Sequence, residues 1–295
     1  MDMQANHDAV PTLESSAMIL RYSISMYTGR KTDKKTRDEV VGAKGARAKS
    51  AASVYKSLFA DDNDLQELVT YQGLIRRKVS DITLPWTDSG DRLVPTATFY
   101  DVSQVLNDMR DEFDRLADKF VSNYYAKVSN AAFALGGFFD RNEYPDPSTI
   151  RDKFRFVYTF EPVPRAGDFR VDLHNEAVDV LRQQYEQLAH DRLHGAMQDL
   201  WSRVLESAAH LRDKVAPIEE GGKRPRIHTS TIEAFRTLVD SLAGLNLTND
   251  ADLDQVRREL KSILEPMDVD TLRQSDSVRE TVHKKMQDVL DKFAV

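Results

Sequence analysis

Apolar residues between Asp172 and Val215 recur at helical spacing. Leu193, Leu200 and Ser207 stand seven apart, and Met197, Val204 and Leu211 interleave with them at the same interval. Leu181, Tyr185 and Leu188 carry this seam upstream, and the stretch holds no proline and one glycine, Gly195. The pattern predicts a single helix of roughly 60 Å. A rod of that length needs an equally long neighbour. Leu106, Phe113 and Phe120, spaced by seven with Met109 and Leu116 between them, predict one from Tyr100 or Asp101 to Leu135, ended by Gly136 and Gly137. Between the two, Phe154, Phe156, Tyr158 and Phe160 alternate with Arg155, Val157, Thr159 and Glu161, the period-2 signature of a strand. Phe169 to Val171 offer a return strand.

Alternation also marks the N-terminal part, where Leu20, Tyr22, Ile24 and Met26 predict a strand from Met18 that closes at Thr28 and Gly29. A loop around Gly42 and Gly45 and a helix from about Ala46 are expected next. Asp61 to Asp64 then open a helix whose stripe is Leu65, Leu68, Val69, Gln72 and Ile75. Arg92 to Phe99 reads as extended around Pro95. Near the C-terminus, stripes predict helices from Thr229 to Leu245, Leu253 to Leu264 and Asp276 to Phe293. The fold class is therefore mainly α with a small β element (α+β). The expected layout is a flexible tail at 1–16, an N-terminal α+β region at 17–99, a long antiparallel helical hairpin at 100–216 with a β insert at 152–172, a linker at 217–227 and a C-terminal helical region at 228–295.

Charge changes this picture more than composition does. The chain carries a net −7, yet Arg30 to Lys56 holds nine bases (Arg30, Lys31, Lys34, Lys35, Arg37, Lys44, Arg47, Lys49, Lys56) against three acids (Asp33, Asp38, Glu39). A local +6 thus stands on a remainder of −13. Such a segment attracts polyanions, or docks on an acidic surface of its own or a neighbouring subunit. Zero cysteines exclude disulfides, thiolate metal sites and cysteine nucleophiles. No apolar run approaches the roughly 18 residues of a membrane span, and Met1 to Leu13 lacks the basic start and apolar core of a signal peptide. The expected setting is cytoplasmic, without a membrane partner.

Catalytic patterns fail at specific positions. Gly42 to Ser50 ends in Lys49-Ser50 like a phosphate loop, but Ala48 stands where that turn requires glycine. His190 and His194 share a helix face, with Asp191 in place of a metalloprotease glutamate and no third ligand evident. Asp250, Asp252 and Asp254 alternate like a calcium loop, yet Gln255 and Lys261 occupy its glycine and glutamate positions, so a helix cap explains them better. Asp108, Asp111, Glu112, Asp114 and Asp118 read as the solvated face of their helix. No catalytic residue, metal or cofactor is expected. The basic segment, by contrast, has what a phosphate-tracking groove needs. Arg30, Lys31, Lys34, Lys35, Arg37, Lys44, Arg47 and Lys49 supply charge, and Tyr27 and Tyr55 at its flanks offer rings for base stacking.

Ser25 to Lys31 (SMYTGRK), Thr83 to Leu93 (TLPWTDSGDRL), the YPDP and FRFVYTF of Asn142 to Phe160, and Phe235 to Leu247 ending in GLNL resemble, taken together, a family of phage and prophage proteins catalogued as a domain of unknown function. Tyr27 stands where the family pattern has Trp. The resemblance implies a phage setting, beside genes for a ring-shaped ATPase of the chelatase type, and brings no activity. The expectation is a non-enzymatic, phage-encoded homo-oligomer that contacts nucleic acid, single-stranded for preference, through its basic segment. The alternative is a protein-interaction factor with a host or phage partner, either an adaptor of an AAA+ ATPase or an inhibitor of a host defence complex.

Overall fold

The computed structural model describes residues 12–60, 62–164, 175–217, 225–265 and 267–293. A helical turn, α1 (Leu13–Ser16), precedes strand β1 (Ala17–Ser25). Strand β2 (Arg30–Thr32), helix α2 (Lys34–Ala43), a 3-10 turn at Lys49–Ala51 and strand β3 (Tyr55–Ser57) follow. The middle holds α3 (Asn63–Ile82), β4 (Leu84–Pro85), β5 (Arg92–Pro95), α4 (Phe99–Ser122), α5 (Tyr124–Leu135), α6 (Pro147–Arg151) and β6 (Arg155–Pro162). The long helix α7 (Asn175–Lys214), α8 (Thr229–Leu245), α9 (Ala251–Leu264), α10 (Val269–Gln274) and α11 (Asp276–Phe293) complete the chain. The fold is mainly α with a small antiparallel sheet, as the hydrophobic pattern predicts. The proposed return strand at Phe169 to Val171 lies outside the described residues. Among those described, no helix is long and apolar enough to cross a membrane.

The chain folds into two units. One comprises Met1–Arg21, Val79–Ser103 and Thr159–Val295, the other Tyr22–Lys78 and Gln104–Tyr158. In the first, α7 packs against α8, α11 and β4, and α9 packs against α8 and α11. Met197, Leu200, Val204, Ala208, Leu211 and Val215 of the α7 region are buried there with Ile232, Val239, Leu260 and Met286. The helical period of 3.6 moves the stripe off the strict seven-residue seam, so Ala208 is buried in place of Ser207. The seam expected to pair with the helix at 100–135 is thus covered by the C-terminal helices, whose stripes supply the complementary apolar faces. β1 pairs antiparallel with β5, Ala17 opposite Pro95 and Leu20 opposite Arg92, in a sheet ordered β4-β5-β1-β6.

Arginines in this unit close helix C-termini. Arg203 donates to the carbonyls of Ser80 at 2.8 Å and Thr83 at 3.3 Å, and Arg92 donates to the same two carbonyls at 3.3 and 3.0 Å. Arg236 donates to the Leu264 and Met267 carbonyls, and Arg279 to that of Lys214 at 2.7 Å. Cations placed there satisfy carbonyls that the helix leaves open and offset its negative end.

The second unit is built on rings. Phe59 stands edge-on to Tyr27, Phe120 and Tyr144 at centroid distances of 6.2, 5.4 and 5.4 Å, and Phe120 meets Phe154 at 5.6 Å. The Tyr144 hydroxyl donates to the Leu58 carbonyl at 2.9 Å. Beside the rings, Lys127 bridges Asp62 and Asp64 at 2.7 and 2.6 Å, and Lys119 adds Asp64 and Glu67, both at 2.9 Å. The helix expected over 100–135 is two helices, broken at Asn123. There the Ser122 hydroxyl and the Asn123 amide both donate to the Lys119 carbonyl and compete with the helical ladder.

Candidate nucleic-acid interface

The basic segment begins where Gly29, at φ +61, turns the chain out of β1. β2 and β3 then pair antiparallel as a two-stranded ribbon, Arg30 opposite Ser57, Lys31 opposite Lys56 and Thr32 opposite Tyr55. Its root is closed by the Leu58 amide donating to the Gly29 carbonyl at 2.7 Å, and its far end by the Asp33 amide donating to the Val54 carbonyl at 2.9 Å. Residues opposite one another share a face, and faces alternate along the strand. Arg30, Ser57, Thr32 and Tyr55 therefore lie on one face, and Lys31 and Lys56 on the other.

Helix α2 carries Lys34, Lys35 and Arg37 between the strands, and the helix expected from about Ala46 does not form, because that stretch makes the 3-10 turn at Lys49–Ala51 and strand β3. Asp33 starts it, accepting from the Thr36 amide at 3.0 Å and the Thr36 hydroxyl at 2.9 Å, and these bonds hold its carboxyl below the ordinary carboxylate value. Gly45, at φ +66, ends it. The Gly45 amide donates to the Gly42 carbonyl and the Ala46 amide to the Val41 carbonyl, a Schellman closure. Lys34-Lys35-Thr36-Arg37-Asp38-Glu39 has no apolar stripe, and cations sit at its positive end, which hid the helix from periodicity. The Asp33 cap and the Gly45 stop were the signals present.

The charged groups of this segment divide in two. Lys56 is held inward, 2.6 Å from Glu143 and donating to the Phe138 carbonyl at 2.9 Å, and Arg37 pairs with Asp38 at 2.7 Å. Arg30, Lys31, Lys34, Lys35, Lys44 and Arg47 are exposed, and no carboxylate among the described residues forms an ion pair with them. Lys49 lies in the 3-10 turn. Of the two flanking tyrosines, Tyr55 is 64% exposed and offers a free ring face. Tyr27 belongs to the aromatic core. It is edge-on to Phe59 and Phe154, Lys153 stands 5.3 Å over its ring, and burial, with Tyr124 and Glu143 near, pushes its hydroxyl well above the usual tyrosine value.

The other sequence candidates are explained locally. Gly42 lies inside α2 and Gly45 at its end, so no phosphate-binding turn forms from Gly42 to Ser50. Asp250 caps α9 through the Asp252 and Leu253 amides and accepts from Trp201 Nε1 at 2.9 Å, while Asp254 pairs with Arg257 and Arg258. Asp114 and Asp118 bind Arg151, and Glu112 binds Arg115. His190 and His194 are exposed on α7. Among the described residues, no three acidic or histidine side chains gather as a metal-holding group.

Residues 15–272 match the family model described as protein of unknown function, DUF3150. The chain belongs to that family. No curated protein and no solved structure matches it. The DUF3150 match takes in the whole ribbon and stops inside α10, leaving α11 beyond it. It meets the expectation of an unknown-function family and carries neither an activity nor a phage association.

Proposed function

We propose that this DUF3150 protein is a non-enzymatic binding protein that holds single-stranded nucleic acid on the ribbon and helix of residues 30–57. One observation carries the reading: six exposed cations, none of them in an ion pair with a described carboxylate, are concentrated on a short excursion of an otherwise acidic chain. Four arginines of the other unit, Arg92, Arg203, Arg236 and Arg279, donate to backbone carbonyls instead. Lysines and arginines so displayed release counterions from a phosphate backbone, and Tyr55 adds a ring for stacking. The setting we propose is a phage or prophage one, in the host cytoplasm, on the strength of the SMYTGRK, TLPWTDSGDRL, FRFVYTF and GLNL stretches.

Fluorescence anisotropy with a labelled single-stranded oligonucleotide tests this. Affinity should fall steeply with salt, and replacing Lys31, Lys34 and Lys35 by alanine should lower the slope of log K against log salt by about 2, since each phosphate contact contributes about 0.7 on a single strand. No binding at low salt would remove the reading.

A protein partner is the second reading, and α5 favours it. Val128 to Phe139 has no charged residue, and Phe133 is 89%, Tyr125 62% and Phe138 52% exposed. The partner would be a second copy or another protein, an AAA+ ATPase or a defence complex among them. Capture that resists nuclease and is lost in Phe133→Asp would favour it over the first.

A further inference from the structure

A cavity of about 610 Å³ opens at the root of the ribbon, lined by Arg30 and Ser57 of its first rung and by one face of α3. That face is a stripe at every third residue: Asn63, Gln66, Val69 and Gln72. The three amides form no side-chain hydrogen bond with another described residue, and each offers donors and an acceptor. Val69 and Met26 supply apolar walls. Asp62 also reaches the lining, but its carboxylate is engaged by Lys127 at 2.7 Å and by the Leu65 amide at 2.9 Å. Arg30 is thus the unneutralised charge among the described lining residues.

We propose that this cavity receives one unstacked nucleobase of the strand held on the ribbon. The inference rests on the reading of the ribbon as a nucleic-acid surface and specifies its ligand. Paired donors and acceptors match the edge of a base, apolar walls match its faces, and Arg30 takes the adjoining phosphate. The volume lies within the range of small-ligand sites, which run from roughly 300 to 1,000 Å³. Tyr55 lies on the same ribbon face as Arg30 and Ser57, two rungs along, so a strand entering the cavity passes its ring. A base inside a duplex cannot present its edge this way, so the cavity selects for single strands.

The test compares two labelled DNA oligonucleotides of equal length and charge, one with bases and one abasic throughout, by anisotropy at one salt concentration. Wild-type protein should prefer the first by about tenfold, the lower part of the range for a bound base. Val69→Trp fills the cavity from a position that is 44% exposed, and the double variant Gln66→Ala with Gln72→Ala removes its polar edge without added bulk. Each should lower the preference to what stacking on Tyr55 leaves, while binding the abasic strand as wild type does, with an unchanged melting temperature. Equal binding of both strands by wild type overturns the cavity and the stacking on Tyr55, and leaves the phosphate contacts of the ribbon intact. No binding of either overturns both the cavity and the ribbon. A preference undiminished in both variants, or lowered only in Tyr55→Ala, puts the base elsewhere and overturns the cavity.

Discussion

Gly29 shows how one backbone angle positions the ribbon. At φ +61 it lies where only glycine is unstrained, and an added Cβ would stand 3.1 Å from Leu65 Cδ2 and 3.4 Å from Phe59 Cδ2. Gly29→Ala should cost about 1–2 kcal/mol from the left-handed conformation, before any displacement of Leu65. Urea denaturation reads this directly, and a neutral result would show that the turn is soft. Asp64 gives a pH prediction of definite sign. Burial pushes its carboxyl up, but the hydrogen bonds and charges of Lys127 and Lys119 outweigh burial and hold it below the ordinary value. The unfolded chain therefore binds the proton more readily. The stabilisation is present in full above the unfolded carboxylate value of about 4 and is lost as pH falls through the folded one. Asp64→Asn should be less stable at neutral pH and should show a flatter loss of stability below about pH 4. Parallel curves for the two proteins would contradict the assignment.

At the scale of elements, the C-terminal end of α3 depends on two side chains acting on the same acceptors. Arg92 and Arg203 both donate to the carbonyls of Ser80 and Thr83. Removing either leaves the other in place. The double change Arg92→Ala with Arg203→Ala should then cost more than the two single changes added, with a coupling of about 0.5–3 kcal/mol in thermal melts. Strict additivity would mean that water replaces each guanidinium equally well. Such an arrangement was not legible in the sequence, because helix-capping arginines come from distant segments and leave no local spacing. What was legible is the part that periodicity encodes. Phe154 and Phe156 are buried by alternation, and Val282, Met286, Val289 and Leu290 by helical stripe. Periodicity identified the α7 seam but not its partner, since α4 and α11 both offer a complementary stripe. The break at Asn123 depends on side-chain bonds to one carbonyl, which an apolar stripe running through it conceals. For the candidate site, the cation count was plain, and the ribbon that displays it was not, because strands of three residues carry too little pattern to read. The amide stripe of α3 was present at every third position but lay beside the stronger stripe of Leu65, Leu68 and Ile75.

Across the whole molecule, the question is whether total charge or its placement governs polyanion binding. A net of −7 opposes association with a polyanion at long range, yet at physiological salt charges act over about 8 Å. Local placement should therefore dominate. Lys31→Ala, Lys34→Ala and Lys35→Ala together move the net charge from −7 to −10, whereas Glu233→Gln, Glu280→Gln and Asp288→Asn, at exposed positions of α8 and α11, move it from −7 to −4. If placement governs, the lysine variant should weaken single-strand binding by at least about tenfold at 0.15 M salt, and the acid variant should strengthen it less than about twofold. Both should melt as wild type does, because none of the six side chains is buried. Titrations in which affinity tracks net charge equally in the two variants would show that the acidic body, and not the ribbon, sets the interaction, and the assignment of residues 30–57 would then fall.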